Sequence, residues 1–396
     1  MKNITGESEF IIGIDFGSSE TSATIYDFKY GYKNDLEILP GLKVIKSAVA
    51  ILEQEGKDTI CVGDAAIQNA LYSKEFQIDF RKRPSEMNLS ERNRMVAFMH
   101  GVYMEILHWH PDFATRPHVV YIAGPSARLV FEKEEKEYLK MAEYAGLPIA
   151  GIIKRNIAAI FRAISQPDSK IDQCYKKGLL LVDYGANTID FSYISGIFYK
   201  LIYSGCPLGA SAIERTLLRY AMENPSDTHM SEFAKLYGNN EASIPYMLLL
   251  DRFRVAKERF YWDEHKRFNV ILDYEELTST ENTQIDGWGH IVIPKERIDE
   301  ILGLNNKDGY IGQVKEYIKY FKKNILVDNK VECVYLTGGA SRMDFVRSIF
   351  MEVFNLDEYH CVSDDNPSVI ISQGVADLAY ARYNSPQVLS RFKFFN

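Results

Sequence analysis

The sequence has few cysteines, no long apolar run and no long basic block. Cys-x-x-Cys spacing is absent among its five cysteines, which are Cys61, Cys174, Cys206, Cys333 and Cys361. Neither a disulfide framework nor a zinc cluster is therefore expected, and a reducing cytoplasm is the expected location. No segment approaches the roughly 18 apolar residues of a membrane span, and the N-terminus has no apolar signal-peptide region. The longest basic run is residues 81–83 in a chain of net charge −8, which disfavours nucleic acid and anionic membranes as partners.

Two similar hairpin patterns occur far apart in the chain. Residues 11–14 form an apolar run that ends at Asp15, and a turn rich in glycine and serine leads into a second, β-branched run. The same pattern recurs where residues 178–182 end at Asp183. The two aspartates are 183 − 15 = 168 positions apart, which is too far for a solenoid repeat and suits duplication of a whole α/β lobe.

Strands and helices alternate between and after these hairpins, which predicts partly parallel sheets. Predicted strands cover residues 118–124, 149–153 and 331–336, and predicted helices cover residues 129–145, 158–164, 208–222, 243–262, 315–323 and 343–354. A chain of 396 residues has room for two to three domains of about 150 residues. We assign a first lobe to residues 1–195 and a second to 196–396, with an inserted helical and β subdomain at about 220–300.

The two hairpins and a glycine pair near the C-terminal end of the sequence contain the candidate ligand-binding residues. Where an apolar strand ends at an acidic residue that is followed by Gly and Ser or Thr, backbone N–H groups and side-chain hydroxyls can converge on an oxyanion. The neighbouring carboxylate can hold a hydrated magnesium ion. Gly338 and Gly339, at a strand-to-helix junction, permit close approach of a flat ring or a phosphate. Together these features favour a nucleotide as the ligand.

These segments resemble a known superfamily. Residues 14–18, 182–190 and 336–342 are similar to the first phosphate, second phosphate and adenosine motifs of the actin, sugar-kinase and heat-shock-chaperone ATPases. The most similar branch is the nucleotide-binding domain of the seventy-kilodalton heat-shock chaperones, with further matches at residues 62–66, 123–125 and 373–376. The resemblance implies an α/β fold with two similar lobes of ribonuclease-H-like (actin-like) type and a nucleotide cleft between them.

The resemblance also implies roles for individual residues. Asp15 and Asp183 would hold a hydrated Mg²⁺ beside ATP or ADP, and Asp183, Asp190 and either Lys82 or Arg81 would be catalytic. The residues expected at the phosphates are Gly17, Ser18, Ser19, Gly185, Asn187, Thr188 and Gly209. Those expected at the adenosine are Lys257, Gly338, Gly339, Ser341 and Arg342.

Several positions depart from the chaperone pattern. Arg155-Asn156 stands where the chaperones carry Glu-Pro, and that Glu helps to order metal and water. Ala186-Asn187 replaces two glycines of the second phosphate loop. An ungapped match puts Arg81 at the position of the catalytic lysine, whereas a shift of one residue puts Lys82 there. Because a carboxylate has become a cation, we expect hydrolysis to be slow or absent.

The function expected from the resemblance is that of a chaperone-like ATPase domain, in which nucleotide binding drives lobe closure. The alternatives are an actin-like filament protein and, with less support, a small-molecule kinase, for which no motif supplies a substrate-side carboxylate. Only 396 − 342 = 54 residues follow the adenosine motif, too few for a client-binding domain. We therefore expect any lobe movement to act on a separate protein partner.

Overall fold

The computed structural model describes residues 8–165, 170–195, 200–262, 266–279, 284–304 and 306–384. The strands are β1 (Phe10–Phe16), β2 (Glu20–Asp27), β3 (Tyr32–Asp35), β4 (Val44–Lys46), β5 (Ala48–Gln54), β6 (Lys57–Val62), β7 (Glu75–Ile78), β8 (His118–Gly124), β9 (Ile149–Lys154), β10 (Leu179–Tyr184), β11 (Ile189–Ser195), β12 (Lys200–Cys206), β13 (Phe268–Asp273), β14 (Trp288–Ile293), β15 (Cys333–Thr337) and β16 (Cys361–Ser363).

The helices are α1 (Asp64–Gln68), α2 (Leu89–Trp109), α3 (Pro111–Thr115), α4 (Arg128–Tyr144), α5 (Arg155–Ile164), α6 (Lys170–Lys177), α7 (Ser211–Glu223), α8 (Thr228–Tyr237), α9 (Ile244–Trp262), α10 (Tyr274–Thr278), α11 (Lys295–Leu302), α12 (Tyr310–Tyr320), α13 (Asp344–Phe354) and α14 (Ile370–Asn384). A π-helical turn, Phe321–Leu326, continues α12. Among the helices in the described ranges, none is both long and apolar enough to cross a lipid bilayer.

Two large sheets organise the molecule. The first has the order β3-β2-β1-β8-β9, with β4 beside β2, and the second has the order β12-β11-β10-β15-β16. In each sheet the central strand, β1 or β10, is antiparallel to the strand that follows it and parallel to its other neighbour. Two smaller sheets, β6-β5-β7 and β13-β14, complete a mixed α/β fold with several multi-stranded sheets.

Helices α5 and α14 lie between the two large sheets. One buried apolar cluster contains both helices together with Ile11 of the first sheet and Leu181 of the second. The two helices touch at Gly374, where an added Cβ would lie 2.0 Å from the carbonyl oxygen of Ala158. Only glycine permits this approach, and any side chain would push α14 away. The packing holds α5 so that its first residue, Arg155, faces the ends of β1 and β10.

The outer faces of the sheets have separate cores. Helices α2 and α4 cover the first sheet, and α7, α9, α12 and α13 contribute to the core on the second. Helix α2 begins with a capping box, in which the Asn88 side chain accepts from the Glu91 N–H and the Glu91 carboxylate accepts from the Asn88 N–H. These cores fix the strand ends from which the cleft is built.

Most elements predicted from the sequence are confirmed within a few residues, including β8 at residues 118–124 and α9 at 244–262. The predicted division into two lobes stays a prediction. Residue 196 lies outside the described residues, and a division at 195/196 would separate β11 from β12, which are paired neighbours in the second sheet. The second sheet contains strands from both sides of that position, since β10 and β11 precede it and β12, β15 and β16 follow it.

Candidate functional site

A cleft of about 900 Å³ opens at the ends of β1, β10 and β15. The predicted site residues line it, except Gly209 and Ser341. Gly209 lies under the loop that joins β10 to β11, where a Cβ would come within 2.3 Å of the Ala186 carbonyl oxygen. The Ser341 hydroxyl donates to the Gly338 carbonyl at 2.8 Å. These two residues shape the loops that line the cleft.

The first loop joins β1 to β2. Asp15 is buried near the end of β1, and Gly17 is required in the turn because its Cβ would lie 2.3 Å from the Glu20 carbonyl oxygen. The Ser18 carbonyl accepts from the N–H of Phe80 at 2.8 Å, and the Ser19 hydroxyl donates to Asp79 at 2.8 Å. The loop is therefore fixed against the segment that carries Arg81 and Lys82.

The second loop joins β10 to β11 and is closed by a bond from the Gly185 N–H to the Thr188 carbonyl at 3.0 Å. Asp190 accepts from the hydroxyls of Thr188 at 3.0 Å and Tyr203 at 2.5 Å. The Asn187 amide oxygen accepts from the Ser211 hydroxyl at 3.3 Å, so this side chain is tied to the start of α7. No pattern in the sequence indicated the Tyr203 contact.

The third segment follows β15. Gly338 has φ +81°, and a Cβ there would lie 2.7 Å from Asp183 Oδ1, so the glycine is required for conformation and for space. A Cβ on Gly339 would lie 3.0 Å from Glu20 Oε2 and 3.2 Å from Ser368 Oγ. This segment therefore lies against β10, which carries Asp183, and beside Glu20 at the start of β2.

Arg155 bridges the two aspartates. Its Nη1 lies 2.6 Å from Asp15 Oδ1, and its Nε lies 3.4 Å from Asp183 Oδ2. Asp15 and Asp183 are 5% and 4% exposed. The sequence marked Arg155 as a departure from the chaperone pattern but did not indicate these contacts. A permanently charged guanidinium is thus the partner of both carboxylates.

Burial raises the pKa of Asp15 to about 6. Arg155 opposes this rise, whereas the charges of Asp183 and Glu20 add to it. Burial, followed by the charge of Asp183, also raises the pKa of Asp190, against the hydrogen bonds from Tyr203 and Thr188. The floor of the cleft is therefore crowded with carboxylates, and Arg155 relieves part of their repulsion.

The other predicted cations line the cleft in ion pairs. Lys257 Nζ, on α9, is buried 2.7 Å from Glu214 Oε2. Arg81 Nη2 lies 3.3 Å from Asp79 Oδ2, and Lys82 Nζ lies 2.7 Å from Glu91 Oε1. Their predicted contacts with a nucleotide stay predictions.

An indole at the cleft wall was missed by sequence reasoning. Trp262, the last residue of α9, is 75% exposed, and the guanidinium of Arg342 lies 5.5 Å from the centre of its ring. Arg342 also donates to the Asn366 side chain at 2.8 Å. An exposed aromatic ring five positions after Lys257 could have been noticed as a stacking surface for a base.

If the cleft binds the adenine nucleotide that the resemblance implies, replacing Trp262 by alanine should weaken that binding about tenfold, because base–aromatic stacking contributes about 1–3 kcal/mol. Nucleotide should also change the fluorescence of the unmodified protein, and this change should disappear in Trp262→Phe. Trp288→Phe is the matched control, since Trp288 is 69% exposed on the β13-β14 hairpin and away from the cleft. Equal affinities for Trp262→Ala and the unmodified protein would exclude the stacking role.

The chain as it stands does not fit a magnesium ion between Asp15 and Asp183. One oxygen of each carboxylate already contacts Arg155, and a dication placed there would face the guanidinium. Within the described residues, no three His, Cys, Asp or Glu side chains form a group suited to a metal. Magnesium at this position therefore stays an expectation from the resemblance, and the geometry disfavours it.

The sequence was compared with models of protein families and with curated proteins, and neither comparison found a match. The resemblance to the heat-shock ATPase domains therefore rests on the motifs themselves.

Proposed function

We propose that the protein binds an adenine nucleotide, ATP or ADP, in the cleft and that binding controls closure of the two halves, as in a chaperone-like ATPase domain. One observation carries this proposal: three segments that are far apart in the chain line a single cleft. They are residues 15–20, 185–188 and 338–342, with Ser341 supporting the last from below. Two follow hairpin strands, and the third contains the glycine pair.

The proposal includes the finer fold, two duplicated lobes of ribonuclease-H-like (actin-like) type. The equal order and direction of strands in the two large sheets support it. Asp15 and Asp183 occupy the next-to-last positions of β1 and β10, the central strands of their sheets. A duplication would create such equivalent positions, and a ligand between the lobes would then meet both.

Unpaired polar atoms at the cleft wall support a ligand there. Asp183 Oδ1 and Ser368 Oγ are buried and have no hydrogen-bond partner in the described part of the chain. Both line the cleft beside the glycine pair. Buried polar groups are normally hydrogen-bonded, so these atoms are suited to hydroxyl or amine donors of a bound molecule. The Trp262 ring and the Arg342 guanidinium add a surface for a base.

Isothermal calorimetry with ADP and ATP tests the proposal. We expect binding by the unmodified protein and loss of most of it in Gly339→Leu, because the leucine would project into the cleft. The Cβ at this position meets only the ends of the Glu20 and Ser368 side chains, which can move, so the fold should survive. Ala114→Leu, on the exposed surface of α3, is the matched control.

Absence of heat and of a thermal shift with millimolar ADP and ATP, with or without magnesium, would contradict the proposed function. Equal binding by Gly339→Leu and Ala114→Leu would place the nucleotide elsewhere. Sedimentation with and without ATP separates the proposal from the filament alternative, since nucleotide-dependent pelleting is expected only of a polymer. Action on a separate protein partner stays a prediction.

A further inference from the structure

The two carboxylates that a divalent cation would bind are already paired with one cationic side chain. Arg155 contacts one oxygen of Asp15 and one of Asp183, at 2.6 and 3.4 Å, and so joins the ends of the central strands of both sheets. A guanidinium stays protonated at any pH that the protein tolerates and cannot be removed by a chelator. A cation is therefore built into the chain at this point.

The guanidinium is also open to the cleft. It has five N–H donors, and the contacts with Asp15 and Asp183 use two of them. The Arg155 side chain is 26% exposed, lines the cleft, and has its Nη1 3.9 Å from the Cβ position of Gly17 in the first loop. Its remaining donors suit an anion held by that loop, because guanidinium groups bind phosphate oxygens in a bidentate manner.

We propose that Arg155 takes the place of the divalent cation, so that the cleft binds its nucleotide as the metal-free anion. This inference rests on the proposed function. Arg155 would hold the aspartates with one edge and the phosphates with another. Arg155 carries one positive charge, whereas a magnesium ion carries two. The negative charges of Asp15, Asp183 and Glu20 are therefore compensated less than they would be by magnesium. The site therefore suits a diphosphate better than a triphosphate.

Calorimetry with ADP in excess EDTA and in excess magnesium tests the inference. For the unmodified protein and for Arg155→Lys, which keeps a cation, we expect the affinity in EDTA to equal or exceed that in magnesium, because excess magnesium converts free ADP into its magnesium complex. Arg155→Glu should lose about a hundredfold in affinity in EDTA, since like charges would then face the phosphates without compensation. Magnesium should restore part of that loss in the Arg155→Glu protein only.

A second measurement needs no nucleotide. Magnesium alone should raise the melting temperature of Arg155→Glu, whose three carboxylates would bind the ion, and should leave the unmodified protein unchanged. Nucleotide binding that requires magnesium in the unmodified protein would overturn the inference while the proposed function stands. Failure to bind ADP in both buffers would contradict the proposed function. A magnesium-induced thermal shift of the unmodified protein would overturn the inference without reference to nucleotide.

Discussion

Replacing Arg254 by methionine should lower the free energy of unfolding by about 3 kcal/mol, the lower end of the loss measured when one partner of a buried ion pair is removed, because Arg81 and Lys46 still pair with the two carboxylates. The Arg254 Nη2 atom lies 3.0 Å from Asp79 Oδ1 and 3.5 Å from Asp251 Oδ1. Arg254, Asp79 and Asp251 are 6%, 6% and 4% exposed, so water cannot solvate the two carboxylates when the guanidinium is removed. Urea unfolding followed by circular dichroism gives the difference directly.

The same helix supplies a control for this prediction. Arg252, two residues before Arg254, is about half exposed and reaches Glu276 only at 4.0 Å. Arg252→Met should therefore change stability by no more than about 1 kcal/mol, as is usual for exposed pairs. Equal stabilities of Arg254→Met and Arg252→Met would show that the buried network contributes nothing beyond surface charge.

The Arg254 network also connects the two halves around the cleft. Asp79 accepts from the Ser19 hydroxyl at 2.8 Å, and Lys46 Nζ lies 2.8 Å from Asp251 Oδ2. Helix α9, which shares a buried apolar cluster with the second sheet, is thus tied to the loop after β1 and to β4 of the first sheet. Any movement of the halves on nucleotide binding must preserve or exchange these pairs, which gives closure a defined electrostatic cost.

The local parts of the structure could be predicted from the sequence because local patterns determine them. The apolar runs that end at Asp15 and Asp183 predict buried strands, and the Gly and Ser residues after them predict turns. Alternation of strands and helices predicts parallel neighbours such as β1 and β8. The pairing of β11 with β12 across the predicted boundary at 195/196 could not be predicted, because local patterns do not show which strands share a sheet.

The ion pairs could not be predicted, because they join residues far apart in the chain. Arg155 and Asp15 are 140 positions apart, and Arg254 and Asp79 are 175 apart. Their meeting depends on the packing of α5 between the sheets and of α9 beside the first loop. A sequence can show a cation at residue 155, where the chaperones it resembles carry an acid, but only the fold shows which carboxylates that cation contacts.

Slow hydrolysis of ATP is the other large expected effect. In a single-turnover assay with magnesium present, we expect little product from the unmodified protein and a rate about 10²–10³-fold higher from Arg155→Glu. Changes of this size accompany the gain or loss of one preorganised electrostatic group. A glutamate at residue 155 would free Asp15 and Asp183 from the guanidinium and supply an acceptor for water. Arg155→Gln, which removes the cation without adding a carboxylate, should give a smaller increase.

The residues available to orient the attacking water explain why ATP hydrolysis by the unmodified protein should be slow. Asp190 already accepts hydrogen bonds from Thr188 and Tyr203, and burial raises its pKa. A base in that position has to exchange an existing partner for the attacking water, which lowers its effectiveness. Fast single-turnover hydrolysis by the unmodified protein would contradict this reasoning, because Asp190 with Lys82 or Arg81 would then suffice despite the guanidinium between the aspartates.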